Sequence, residues 1–167
     1  YTYSTTKSTK AKPTSLKSVS LAAPKGTSKA KIDTAFARGV ATGRGINRAR
    51  ELGNLPGNIC TPTYLAKQAV ELAKGKRNLS VKVLSEKQMA RLGMGALLSV
   101  SAGSSQEAQL IVMEYKGAKV KPKANRPAAH MLVGKGITFD TGGISLKAGQ
   151  AMDEMKFDMC GAASVIG

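Results

Sequence analysis

No apolar run in this chain comes near the ~18 residues that a membrane-spanning helix needs. The opening "YTYSTTKSTKAK" also lacks the apolar stretch of a signal peptide. Both absences point to a cytoplasmic protein. Cysteine occurs only twice, as Cys60 and Cys160, far apart in the chain. So few exclude a disulfide framework, and with no histidine or second cysteine beside either they exclude a zinc knuckle. Both are expected as reduced thiols. Histidine occurs once, as His130 inside the apolar run "AAHMLV". A packed imidazole fits that setting better than a catalytic base, and Ser145 lacks the G-x-S-x-G elbow of a serine hydrolase. A phosphate-binding loop fails as well. In "VGKG" the position of the first required glycine holds Ala129, and Gly136 follows Lys135 where Ser or Thr is needed.

Acidic side chains are scarce: ten Asp and Glu stand against 26 Lys and Arg, a formal charge of +16. None of the ten falls within residues 1–31. Two explanations compete. One is a nucleic-acid or other anionic partner. The other is that the chain is a piece of something larger whose acidic part lies elsewhere. The chain begins at Tyr1 rather than Met and stops within a helical pattern at Gly167, which leads us to expect a truncation. Residues 1–31 read as a basic linker, with "SLKSVSLAA" as a candidate short strand.

What remains suits one globular domain, with 42% of residues hydrophobic. A long helix is predicted from "SKAKIDTAF" to "ELGN", with Ser28 or Asp33 placed to cap it. Ile32, Phe36, Val40, Ile46 and Ala49 recur at helical spacing. Gly39, Gly43 and Gly45 lower its helicity and suit a close crossing instead. Thr61–Pro62 is an N-cap and first-turn pair, and Leu65, Ala69 and Leu72 form the buried stripe of the helix it opens. "LSVKVLS" and "AQLIVMEYKG" read as strands, "SEKQMARLG" as a short helix capped by Ser85, and "VKPKANRP" as a basic turn. "MGALLSVSAGS" is ambiguous. "AAHMLVGKGITF" reads as a further buried strand and "AMDEMKFDMCGAASVIG" as a helix. Helices alternating with strands apolar on both faces predict an α/β fold over 32–167, a mixed, partly parallel sheet flanked by helices and incomplete at its C-terminal side.

The chemistry concentrates in Lys135, Asp140, Lys147, Asp153, Glu154 and Asp158. Asp153 and Glu154 lie in the first turn of the last helix, where the helix dipole accounts for negative charge. Asp140 follows a strand end in a Gly-rich turn, where ligands of α/β sheets gather. Two carboxylates brought together repel unless a cation joins them, and hard oxygen donors suit Mn²⁺, Zn²⁺ or Mg²⁺. A buried, neutral Lys135 amine is a further ligand on that reading, and a protonated Lys147 an oxyanion stabiliser. A cluster of salt bridges explains the same residues.

"VGKGITFDTGGISLK" followed by "MDEMKFDMCGAASVIG" closely resembles the leucyl aminopeptidase family, the dinuclear-metal M17 peptidases. "ELGNLPGNICTPTYLAKQA", "VMEYKG" and the opening "YTYSTTKSTK" are similar to it too. The resemblance implies two divalent metal ions, Mn²⁺ or Zn²⁺. It implies Lys135, Asp140 and Asp158 as their ligands, with Asp140 bridging. It also implies Lys147 as the catalytic lysine that polarises the scissile carbonyl, and Met155 as a substrate-pocket residue. The activity implied is removal of N-terminal, leucine-like residues from peptides by two-metal water activation. The assembly implied is a homohexamer. The family's later motif, Asn-Thr-Asp-Ala-Glu-Gly-Arg, supplies two more metal carboxylates and does not occur here. The expectation is thus the first part of a catalytic domain, inactive without the segment that carries that motif. The alternative is a basic DNA-binding or non-catalytic structural member of the same family.

Overall fold

The computed structural model describes residues 1–9, 15–117 and 129–167. The predicted basic turn at 120–127 and Ala128 lie outside them. Helix α1 spans Lys29–Asn54, α2 Pro62–Ala73, α3 Glu86–Arg91, α4 Gly95–Ser101 and α5 Cys160–Ile166. Strands β1 (Leu79–Leu84) and β2 (Leu110–Tyr115) complete the regular elements, with a 3₁₀ stretch at Met152–Met159 before α5.

Local chemistry explains the boundaries. The Thr61 hydroxyl accepts from the Tyr64 N–H at 3.2 Å, with Pro62 in the first turn, so one orphan donor is satisfied where the missing proline N–H costs nothing. Ser85 is the N-cap of α3, and its N–H donates to Gln88 Oε1 at 2.9 Å. The ambiguous "MGALLSVSAGS" is largely helical, as α4.

Strands β1 and β2 pair antiparallel, with Leu79 opposite Tyr115 and Leu84 opposite Leu110. Val81, Ile111 and Met113 turn inward against the core, while Lys82, Val112 and Glu114 face out. The period of two thus places one apolar face against helices. The α/β class is as expected. Among the described residues the sheet is this antiparallel pair, and no parallel strand joins it.

The core lies where the end of α1, α2, α5 and the inner sheet face converge. Leu52, Leu55, Cys60, Leu65, Ala69, Met159, Ala163 and Ile166 are buried together. Leu72, expected as buried, packs at its margin. Helix α1 reaches this core by a close crossing with α5. A Cβ added at Gly45 would stand 2.2 Å from the Gly167 carbonyl oxygen, whereas at Gly39 and Gly43 it would meet nothing. Of the three glycines predicted to permit a crossing, Gly45 is the one that does.

Five expectations change. The strand expected over 128–139 is not formed in its described part. Met131, Leu132 and Val133 are 83%, 75% and 88% exposed, and among the described residues no strand lies beside them to take up their backbone hydrogen bonds. His130 is exposed rather than packed. The α1 stripe is likewise uncovered ahead of the core, with Phe36 55% and Ile46 48% exposed. "SLKSVSLAA" forms no strand. The final helix is divided: Ala151 adopts φ 60°, the chain winds as 3₁₀ to Met159, and only then continues as α5.

Candidate metal centre

The site is built on two backbone contacts. The segment carrying Lys135 lies directly on the start of α5, where the Ala162 N–H donates to the Lys135 carbonyl at 2.8 Å. The next segment is braced from the other side. A Cβ at Gly57, in the turn after α1, would lie 2.8 Å from Phe139 Cβ and 3.2 Å from the Thr138 oxygen. The chain then turns sharply. Gly142 and Gly143 have φ of 89° and 69°, angles that strain any side chain-bearing residue. The turn closes where the Lys147 N–H donates to the Thr141 carbonyl at 2.9 Å.

These contacts bring the predicted residues into two adjoining pairs. Lys135 Nζ donates to Asp158 Oδ1 at 2.7 Å. Lys147 Nζ donates to Asp140 Oδ2 at 2.9 Å and stands 3.1 Å from Met155 Sδ. Asp140 Oδ1 accepts the Gly142 N–H at 2.8 Å. All five singled-out residues, Lys135, Asp140, Lys147, Met155 and Asp158, therefore belong to one locality. Asp153 and Glu154 stay exposed in the first 3₁₀ turn, in keeping with their reading as helix-end charges.

The electrostatics link the two pairs. The hydrogen bond to Asp158, then the charges of Asp158 and Asp140, raise the Lys135 pKa against a smaller opposing effect of desolvation. The Asp140 pKa is lowered, first by the hydrogen bond from Lys147, then by the Gly142 N–H, with Lys147 and Lys135 charges adding to it. The expectation of a buried Lys135 is corrected here: its side chain is 60% exposed, and Asp158 favours its ammonium form.

One atom has no such balance. Asp158 Oδ2 is buried and has no hydrogen-bond partner. A buried carboxylate oxygen left unpaired is costly, and a cation beside it would remove that cost. The donor set fits: two carboxylates and an amine are oxygen and nitrogen ligands of the type that Mn²⁺ and Zn²⁺ accept. Among the described residues no group of three or more His, Cys, Asp and Glu side chains is placed to hold an ion. This chain therefore offers Asp140, Asp158 and the Lys135 amine. Sequence reading missed the glycine contacts that assemble the site, at Gly57, Gly134 and Gly161. Gly134 and Gly161 stand close in sequence to Lys135 and Asp158, whereas Gly57 lies far from both.

Comparison with known proteins shows the family. The sequence model of the cytosol aminopeptidase family, catalytic domain, matches residues 47–167. A probable cytosol aminopeptidase of Saccharophagus degradans is 59% identical over 167 residues, all of this chain and 32% of the relative. The cytosol aminopeptidase of Pseudomonas aeruginosa is 52% identical over the same 167 residues, again 32% of its length. Among solved structures, the bottromycin maturation enzyme BotP in complex with Mn aligns with a TM-score of 0.65 and 33% identity, covering 80% of this chain and 28% of that one. The chain belongs to the cytosol aminopeptidase family. It spans about a third of the length of the curated relatives it matches.

Proposed function

We propose that this chain is part of a metal-dependent aminopeptidase and contributes Lys135, Asp140 and Asp158 as ligands of divalent ions, two ions being shared with the rest of the site. The observation that carries the reading is the unpartnered, buried Asp158 Oδ2 beside Lys135, next to the Asp140–Lys147 pair. The names of the relatives and the Mn of the BotP complex support the same class. When bound, such ions activate water and polarise a carbonyl.

The chain's own residues have separable roles in this proposal. Lys135 gives up its Asp158 hydrogen bond and one proton to become a neutral ligand. Asp140, fixed by the Gly142 N–H, would supply carboxylate oxygens to hold the ions. Lys147 remains an ammonium and places positive charge where the carbonyl oxygen of the first peptide bond becomes negative. Met155, already against Lys147 Nζ, lines the space for the first substrate side chain. A free substrate N-terminus, a homohexamer and a cytoplasmic setting belong to the same proposal, as does inactivity of residues 1–167 by themselves. Among the described residues no helix is long and apolar enough to cross a membrane, which is compatible with that setting.

The test is hydrolysis of leucine p-nitroanilide with Mn²⁺. Activity is expected from a protein carrying both this chain and the remaining ligands, and its loss in Asp158→Asn. Equal activity in Asp158→Asn would refute the ligand role, and activity of residues 1–167 alone would refute the shared site.

A further inference from the structure

Lys135 and Asp158 lie on different elements, and nothing in their own side chains dictates that they meet at 2.7 Å. The backbone beneath them does. A Cβ added at Gly134 would stand 2.4 Å from the Gly161 oxygen, 2.5 Å from its carbonyl carbon and 2.6 Å from Ala162 Cα. In the reverse direction, a Cβ at Gly161 would stand 2.8 Å from the Lys135 nitrogen and 3.3 Å from its oxygen. Every one of these neighbours is backbone, which cannot swing aside as a long side chain can. Neither glycine has a positive φ, so conformational freedom is not the reason for them. The requirement is space alone.

Gly136 provides the contrast. It adjoins Lys135 on the other side, yet an added Cβ there would make only a 3.4 Å contact with Ala162 Cβ.

We infer that Gly134 and Gly161 are positioning residues: their direct backbone contact, locked by the Ala162 N–H on the Lys135 carbonyl, sets where Lys135 Nζ stands relative to Asp158. The contact is upstream of the ion pair and does not depend on it. Its consequence for metal binding rests on the proposed ligand roles of Lys135 and Asp158. The contact itself does not.

Two metal-free NMR signals test the order of cause. Hydrogen exchange of the Ala162 amide reports the backbone contact, and exchange of the Lys135 ammonium reports the pair. Asp158→Asn breaks the pair without touching the glycines, so Ala162 should keep its protection while the Lys135 ammonium loses its own. If Ala162 protection falls along with the ammonium's, the ion pair holds the backbone and the inference is overturned. That arm needs no glycine variant to fold. In the second arm Gly161→Ala, checked for folding by circular dichroism, should lose both protections, and Gly136→Ala should keep both. Retention of the Lys135 signal in folded Gly161→Ala, or equal loss in Gly136→Ala, contradicts it.

Calorimetry with Mn²⁺ then reads the consequence. Losing a hydrogen-bonding partner of a metal ligand alters affinity by about 10–100-fold; a misplaced Lys135 is expected to cost about tenfold, the low end, in Gly161→Ala, with little change in Gly136→Ala. A wild-type protein that binds no Mn²⁺ would sink the metallopeptidase reading, and the exchange measurements would still decide the role of the glycines.

Discussion

Lys135 Nζ donates to Asp158 Oδ1 at 2.7 Å while the second oxygen of the same carboxylate is buried without a partner. A simple salt bridge would not be expected to leave that oxygen unsatisfied, since most buried polar atoms find a hydrogen bond. Half of the carboxylate is thus accounted for by lysine and half is open to a further cation. The proposed metal-ligand role accounts for this open oxygen, and a salt-bridge cluster alone does not. Several consequences can be measured.

Lys147 should matter to turnover more than to metal binding. In the proposed role, Lys147→Gln removes the charge facing the developing oxyanion while Asp140 keeps the Gly142 N–H and Lys135 keeps Asp158. Loss of such a group costs about 10²–10³ in kcat. Steady-state kinetics paired with Mn²⁺ calorimetry checks this, with kcat reduced and Mn²⁺ affinity within a few-fold. A reduction confined to metal affinity would reassign Lys147 to holding Asp140.

Two glycines of α1 should respond to alanine with opposite signs. Gly43→Ala meets nothing and gains helix propensity, so it should stabilise by about 0.5–1 kcal/mol. Gly45→Ala drives a methyl to 2.2 Å from the Gly167 oxygen and should destabilise by about 1–3 kcal/mol. Urea denaturation of both variants decides. A shared sign would mean that the α1–α5 crossing is not as tight as described.

Burial raises the Cys60 thiol pKa from 9.0 to about 11. In the unfolded chain the thiol ionises near its ordinary value, while the folded chain keeps its proton. Between those values the unfolded state binds fewer protons, so stability falls as pH rises from about 9 toward 11. Denaturation midpoints at pH 8 and pH 10.5 should show a drop that Cys60→Ser reduces. At pH 8 a thiol reagent should modify the half-buried Cys160 well before Cys60.

Met159 is fully buried and follows Asp158 directly. Met159→Ala should cost about 2–5 kcal/mol, read by thermal or urea unfolding. A cost below about 1 kcal/mol would show that the core beneath the site repacks freely.

Much of this was legible in the residues because the signals were local. Thr61–Pro62 specified a helix start, and alternation in "LSVKV" and "LIVMEY" specified β1 and β2. Lys135, Asp140, Lys147 and Asp158 stood out by type and spacing, Met155 only by resemblance, and the structure places them together. What was not legible depends on distant partners. Met131–Val133 has the composition of a buried strand, but a strand exists only with a neighbour to bond, and none lies beside it among the described residues. The α1 stripe has a helical period whether or not anything covers Phe36 and Ile46. Helical spacing at Met152–Met159 does not distinguish 3₁₀ from α winding, which differ by one residue in hydrogen-bond reach. The Lys135 pKa is raised first by the hydrogen bond to Asp158, a pairing across elements that spacing does not reveal. Gly134 and Gly161 stood beside the chemical residues in plain view, but their contact spans two elements.

Anomalous diffraction from crystals grown with Mn²⁺ measures the central claim most directly. The account predicts a manganese peak about 2.0–2.4 Å from Asp158 Oδ2, with Lys135 Nζ turned from its hydrogen bond to face the ion and Asp140 also in contact. Crystals saturated with Mn²⁺ in which Nζ still donates to Asp158 Oδ1, with no peak at either carboxylate, would contradict it.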